Sequence, residues 1–589
     1  MSGFCGVVSF DGQPVDRDIF ARMVAFFAVS APDGSASLLE RDYALGYSHL
    51  STGRPVEAML PATLDGRTFI TGDFRLDDRD ALAALLGAPR DRADHELVLL
   101  AFARWGEQCP QHLLGDFAFA IWDNDARELF CARDPFGVKP FYFARRDSTF
   151  VFASAVAPLR MHPIVSGELD RHAIEDFLMF GWLDDRERTT FRDIRCLPGG
   201  SAMRVDARGV KTSVYWTLPI EAPMRGGDVV EGFRDVLSRA VHERTPSRVT
   251  VSLSGGLDSS AVTSIAREQA ASIDAFTIVY DSLVHDEERR FATAAAEGLQ
   301  VPLHLIDGGA YRLFEKRRER AEPANDPLGA VAFDMHSAAA SRARVMLAGQ
   351  GGDAALYASH SYFFNLLRRG RLLRFMRDAG GYAITRRRRP PLVLRSSLRR
   401  ALKIRPLIEP LPPWLDPRLE ERWRRHFDDE PEVHPTRPQA YNLLRGAGWQ
   451  RLAEYLDPAA IGVPLDYRNP YLDVRVLRFL LRVPPMPWFA EKEILRETMR
   501  GRLPEEVRTR RKTPLVDDPT HVLMSRQAED LAMRIELCEE LAIYMDRPRA
   551  AAALRNPART PFHSFLLAFP ISLALWLPST ARDPLILME

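Results

Sequence analysis

Two regimes of hydrophobic patterning divide the chain. As far as about residue 212, apolar residues come in short runs broken by turn residues: Gly3 to Phe10, Tyr43 to Leu50, Thr68 to Arg75, Ala118 to Trp122, Leu129 to Ala132 and Phe150 to Ala153. Each run predicts a strand. Two stretches with helical spacing, Asp18 to Ala28 and His95 to Trp105, interrupt the series, so an α+β sandwich is expected over 1–212. Leu197-Pro198-Gly199-Gly200 and the Tyr215-Trp216 pair mark its exit, and Glu221 to Asp228 reads as a linker. From about 229 the pattern becomes strand–helix alternation. Val249 to Leu253, Ala275 to Tyr280 and Val345 to Ala348 are continuous apolar runs, each followed by a polar or Gly-rich turn. Such runs suit a parallel sheet covered on both faces, with ligands at the carboxyl ends of its strands. Beyond Tyr362 the spacing is mostly helical, giving a second domain over 229–589.

With 589 residues, 46% of them hydrophobic, the chain has material for two large cores. Its 79 basic and 79 acidic residues balance, so no overall field points to nucleic acid or to a membrane. Five scattered cysteines (Cys5, Cys109, Cys131, Cys196, Cys538) lack any C-x-x-C spacing. Neither a disulfide framework nor a zinc site is expected, and a cytoplasmic location is. No signal peptide is expected at the N-terminus. The longest apolar run, Phe565 to Leu577, is short for a bilayer and holds Pro570; it reads as a buried helix or two short segments. From Arg368 to Arg405 there are 13 arginines and one lysine against a single acid, Asp378, within an Arg-rich helical segment over 362–440. That run is either a solvated face, neutralised in part by Glu420 to Glu432, or a docking surface for an anionic partner.

The candidate chemistry begins at Leu253-Ser254-Gly255-Gly256-Leu257-Asp258-Ser259-Ser260, directly after a predicted strand. A glycine turn leading into a helix N-terminus frees backbone N–H groups to hold phosphate oxygens. Asp258 adds a carboxylate that can share a hard cation with them. The loop lacks the lysine of a G-x-x-x-x-G-K-[ST] P-loop. Thr277 lies on the second predicted strand, followed by His285-Asp286-Glu287-Glu288, and the third strand ends in Gly349-Gln350-Gly351-Gly352-Asp353. Asp258 and Asp353 then share one sheet edge and are the candidate Mg²⁺ ligands beside phosphate oxygens. Downstream lie Lys492, the run Asp466 to Asp473, and Arg510-Arg511-Lys512-Thr513-Pro514.

The Ser-Gly-Gly-x-Asp-Ser loop resembles the pyrophosphate loop of ATP pyrophosphatases. Taken with Cys5-Gly6-Val7-Val8, Ala31 to Gly34, Gly46 to Ser51, Thr71-Gly72-Asp73, Gly115 to Phe119 and Ala132 to Gly137, it makes nearly the whole chain resemble the asparagine synthetase (glutamine-hydrolysing) family. The resemblance implies an N-terminal nucleophile (Ntn) hydrolase-like glutaminase sandwich joined to an ATP-pyrophosphatase-type parallel α/β synthetase domain. It places Ser254, Gly256, Asp258 and Ser259 on ATP phosphates, with Leu253, Gly255, Ser260, Thr277 and Gly351 around them. Asp353 falls on Mg²⁺, Lys512 on the catalytic lysine, and Lys492 on a second phosphate contact.

The departures from the family bear on function. In glutamine-dependent members a cysteine follows Met1 and is activated by its own α-amine. Here the matching cysteine is taken as Cys5, whose nitrogen is an amide, and a nucleophile without its base is weak. His49 falls where the family has a glutamine-holding arginine, Thr71 where it has the oxyanion-hole asparagine, and Asp73 where it has glutamate; Gly72 and Asp94 persist. The N-terminal domain is therefore expected to be an inactive scaffold. Gln350 replaces a glutamate that could act as base. These features resemble the cyclases of lasso peptides, which adenylate an Asp or Glu side chain of a leader-free peptide and close a macrolactam with its N-terminal amine. The resemblance implies ATP and Mg²⁺ as cofactors, release of AMP and pyrophosphate, and a leader peptidase as partner. A small-molecule amide or β-lactam synthetase, an asparagine synthetase and a non-catalytic peptide-binding scaffold are the alternatives.

Overall fold

The computed structural model describes residues 2–53, 59–224, 226–284, 287–315, 318–358, 362–368, 370–386, 409–427, 433–511 and 518–580. All six strands and both helices expected in the N-terminal half are present, the first helix as Arg17–Ala25 and the second as Asp94–Trp105. They belong to two six-stranded antiparallel sheets. Strand Gly3–Ser9 is central to one sheet, paired with Tyr43–Ser48 and Thr149–Ala153; Thr68–Leu76, Gly115–Asp123 and Glu128–Arg133 form the middle of the other. Alternation along Gly3–Ser9 sorts its side chains. Phe4 and Val8 enter the core between the sheets with Phe117, Phe119 and Trp122, and Tyr43 meets Trp122 across it at 5.3 Å between ring centroids. Cys5 and Val7 face the opposite way, onto Phe20, Met23 and Val24 of the first helix.

Helix Val229–His242 opens the second half, capped by Asp228, whose carboxylate accepts from Val230 N and Glu231 N at 2.9 and 3.0 Å. The expected strands appear as Arg248–Ser252, Ser272–Val279 and Val345–Leu347 in a five-stranded parallel sheet. Arg248–Ser252 is its middle strand, with Val251 opposite both Ala275 and Leu347. The edges are two further strands, Leu303–Asp307 beside Ser272–Val279 and Asp466–Arg468 beside Val345–Leu347. Helices Tyr362–Arg368 and Leu372–Arg386 realise part of the Arg-rich segment, while 387–408 lie outside the described residues. Glu420 and Glu421 pair with Arg424 and Arg425 of their own helix.

The two halves share buried material. Helix Pro561–Thr580 is long and apolar enough to cross a membrane, yet Leu567, Phe569 and Leu573 are fully buried, and Phe569 lies 6.3 Å from Phe177 of the N-terminal half. It is one helix that continues through Pro570. Lys139 Nζ reaches Asp73 of the sandwich at 2.9 Å and Asp466 of the parallel sheet at 3.3 Å. Arg133 pairs with Glu454 at 3.1 Å, and Arg244 pairs with Asp77 at 3.2 Å and Asp473 at 2.7 Å.

Candidate active site

The loop after the middle strand has a backbone that only glycine allows. Gly255 has φ +64°, and a Cβ there would lie 2.3 Å from Ala292 N. Gly256 is the N-cap of helix Leu257–Ala266, which therefore presents its unsatisfied N–H groups at the carboxyl edge of the sheet. Leu253 is fully buried and anchors the strand end. Ser254 and Ser259 hydroxyls sit 3.2 Å apart. Ser260 is buried behind them, and Thr277 is buried in the neighbouring strand opposite Leu305.

The second loop, after Val345–Leu347, packs on the first through two glycines. A Cβ on Gly349 would lie 2.8 Å from Ser259 N, and one on Gly352 2.7 Å from Asp258 Cγ; Gly351 has φ +87°. This close approach brings Asp258 and Asp353 together, as the sequence predicts. Lys492 joins them: its Nζ lies 2.6 Å from Asp353 Oδ1 and contacts Asp258 Oδ2. Glu491 and Lys492 are both left-handed, at φ +50° and +59°, a conformation that costs about 1–3 kcal/mol for each non-glycine residue and concentrates at functional sites. The hard oxygen donors of Asp258 and Asp353, already gathered around a cation, fit Mg²⁺. A second acidic group, Asp77, Glu243 and Asp473, differs because Arg244 and Arg475 fill it at 2.7 Å from Asp473, so it is an ion-pair cluster.

Lys512 lies outside the described residues. Arg510, which sequence reasoning noted only as part of a basic run, donates to Gly255 O at 3.1 Å and stacks over Phe291 at 4.1 Å. It ties the basic run to the back of the phosphate loop. His285 and Asp286 are also outside the described residues; Glu287 precedes helix Glu288–Leu299 as its N-cap.

The N-terminal pocket requires a correction. Cys5 lies mid-strand, bonded on both sides through the register Cys5↔Gly46 and Cys5↔Ala153, with its side chain fully buried among apolar residues. Burial pushes its thiol well above the ordinary value, so Cys5 does not take the nucleophile's place. Ser2 lies on the other face of the strand: its Oγ accepts from Leu50 N at 3.2 Å and from Tyr47 Oη at 2.8 Å, and Tyr47 Oη lies 2.9 Å from His49 Nδ1. The signal was the strand period, since Phe4 and Cys5 must face opposite sides.

The other pocket residues have structural partners. Thr71 Oγ1 donates to Gly46 O at 3.1 Å. At Gly72 a Cβ would lie 2.5 Å from Ala118 O. Asp73 pairs with Lys139, and Asp94 accepts from Leu76 N at 3.0 Å and pairs with Arg79 at 2.6 Å. Between the halves lies a cavity of about 530 Å³, bordered by Tyr142, Phe177, Glu322, Tyr455 and Asp457.

Comparison with known proteins bears on both halves. Residues 232–578 match the asparagine synthase family, and residues 1–216 match the glutamine amidotransferase domain. Asparagine synthetase [glutamine-hydrolyzing] 3 of Bacillus subtilis (strain 168) is 25% identical over 560 residues, covering 87% of this chain and 86% of that protein. A putative asparagine synthetase [glutamine-hydrolyzing] of Mycobacterium tuberculosis is 29% identical over 293 residues, 47% of this chain; the match spans less than half of the relative, 45%. Among solved structures, glutamine phosphoribosylpyrophosphate amidotransferase from B. subtilis covers 54% of this chain and 66% of its own at 13% identity, with a TM-score of 0.27, too low to carry an argument. Phosphate loop, parallel sheet and amidotransferase-type sandwich together define an ATP-dependent amide-forming ligase. The chain belongs to the asparagine synthase family.

Proposed function

We propose that the chain is an ATP-dependent macrolactam synthetase of the lasso peptide type. It adenylates an Asp or Glu side chain of a leader-free peptide and lets the peptide's own N-terminal amine close the isopeptide bond. The observation that carries this reading lies at the first strand: Ser2, hydrogen-bonded to Tyr47, has no thiol, and Cys5 is sealed in the core. Without a thiol nucleophile glutamine does not supply ammonia by the family's route, so the amine arrives as part of a substrate. Gln350, in the loop before Asp353, offers no carboxylate base. The reading then rests on proximity: amine and acyl adenylate belong to one molecule held in one conformation.

In this reading the substrate carboxylate attacks the α-phosphorus of ATP and pyrophosphate leaves; the amine then attacks the acyl carbon and AMP leaves. The N–H groups of the Gly255–Gly256 turn and the N-terminus of helix Leu257–Ala266 receive the phosphates, with the Ser254 and Ser259 hydroxyls beside them. Asp258 and Asp353 would hold Mg²⁺, which when bound neutralises phosphate charge. Lys512 supplies positive charge at the α-phosphoryl group, and Lys492 at the departing pyrophosphate. A leader peptidase would work upstream.

Asparagine formation from free ammonia is the second reading, favoured by the names of the relatives. One experiment separates the two. Full-length protein with ATP and Mg²⁺ is given either a leader-free peptide from a neighbouring reading frame or aspartate with ammonium. Loss of one water from the peptide with AMP release supports the macrolactam synthetase. Asparagine and AMP from the second mixture, with the peptide unchanged, would replace it by the second reading.

A further inference from the structure

Lys492 is built into the site more firmly than a phosphate contact requires. Its left-handed turn is fastened on both sides: Glu491 O accepts from Arg496 Nε at 2.8 Å, Ile494 N donates to Trp488 O at 2.8 Å, and Ile494 and Leu495 are fully buried. A side chain carried on such a turn is aimed. Its Nζ lies between Asp258, at the start of one helix, and Asp353, in the short helix Gly352–Ala355 that follows a different strand. A divalent ion shared by those two carboxylates needs the same space. An ammonium and a divalent cation a few ångströms apart also repel strongly, so the two occupants exclude each other.

We propose that Lys492 is an internal cation that keeps free divalent metal off Asp258 and Asp353, so that metal enters only with nucleotide. The triphosphate carries several negative charges. It draws Nζ onto its own oxygens and frees both carboxylates for the metal that accompanies it. The ammonium thus changes partner, from carboxylates to phosphate, and the site is charge-compensated in both states. This rests on Asp258 and Asp353 as the metal ligands, and it is independent of whether the acyl acceptor is a peptide or ammonia.

The test uses Mn²⁺ as probe, read by electron paramagnetic resonance on the full chain. Without nucleotide, wild type should bind Mn²⁺ no better than Asp353→Asn. Lys492→Met should gain a site about tenfold tighter or more, lost again in the Lys492→Met/Asp353→Asn double variant. A non-hydrolysable ATP analogue should bring Mn²⁺ to wild type but not to Asp353→Asn. Nucleotide-free binding by wild type as tight as by Lys492→Met would overturn the proposal. So would no gain in Lys492→Met together with an analogue-dependent signal in wild type, although the metal assignment would then stand. Equal binding of Mn²⁺ with the analogue by wild type and Asp353→Asn would overturn the metal assignment and the proposal with it. Lys492→Gln, compared with Lys492→Met by thermal melting, guards against misfolding.

Discussion

At the scale of single residues, the phosphate loop tolerates no side chain at Gly255. A methyl group there meets the backbone of Phe291 and Ala292 at 2.3 Å, and backbone cannot rotate away. Gly255→Ala should therefore displace the loop, lower the melting temperature and lower ATP–pyrophosphate exchange by about a hundredfold or more. Asp353→Asn should reduce the same exchange comparably, whereas Ser2→Ala and Cys5→Ala should leave it intact because neither touches the nucleotide loop. Exchange assays on the four variants check this. Asp457 carries a different prediction. Burial pushes its carboxyl up to about 7, against 3.8 when unfolded. The folded protein therefore holds this proton longer than the unfolded chain does. Stability is unaffected by the group below about pH 4, falls as pH rises towards 7, and stays reduced above it. The penalty at pH 8 is roughly 4 kcal/mol. Asp457→Asn keeps the turn that accepts Ala459 N at 2.8 Å and removes the charge. Its melting temperature relative to wild type should rise between pH 5 and pH 8; an unchanged difference would refute the assignment.

At the scale of elements, legibility followed the hydrophobic period. Strands Gly3–Ser9 and Arg248–Ser252 have apolar patterns that match their burial, and they are readable from the residues alone. Asp466–Arg468 is not. It is fully buried, yet two of its three residues are charged, and only the pairing of Asp466 with Lys139 and Arg468 makes that burial tolerable. Partners distant in sequence leave no local signal. Ser2 is a different case: the alternation along the adjoining strand marks it, although its partners Tyr47 and Leu50 lie far along the chain. The carboxylate edge was legible because Asp258 and Asp353 each follow a strand and a glycine turn. The aim of Lys492 was not, since it depends on two left-handed residues with no glycine to announce them. Asp473 shows how such hidden pairs hold an element. It caps helix Val474–Arg482 through Arg475 N at 2.8 Å and pairs with Arg244 at 2.7 Å, and those arginines keep its carboxyl far below the ordinary range. Its stabilisation is full above pH 4 and disappears as pH falls through the folded value. Asp473→Ala should cost about 2–3 kcal/mol at pH 7, from the lost cap and one lost carboxylate partner of Arg244, which keeps Asp77 at 3.2 Å, and clearly less in acid; denaturation at both pH values measures it.

At the scale of the whole molecule, the N-terminal half has a use that does not depend on glutamine. Lys139 is buried, with its ammonium charge supported by Asp466 and Asp73. It joins the middle of the sandwich to the edge strand of the parallel sheet. That edge strand pairs with Val345–Leu347, which runs directly into the loop carrying Gly351 and Asp353. The sandwich thus braces one side of the nucleotide site through the buried Lys139, with Arg133–Glu454 and Arg244–Asp77 as parallel struts. Lys139→Met nearly preserves volume but leaves two buried carboxylates without the cation between them. Asp466 retains Arg468 at 2.7 Å, so Asp73 bears most of the loss. The expected cost is about 3–5 kcal/mol, seen in calorimetry as a lower melting temperature with the two halves unfolding in separate steps. Because the brace leads to the Asp353 loop, ATP–pyrophosphate exchange should also fall several-fold below the melting transition. If Lys139→Met melted in one step at the wild-type temperature with full exchange, the sandwich would be no scaffold for the synthetase half. Its retention would then have to be explained by chemistry around Ser2.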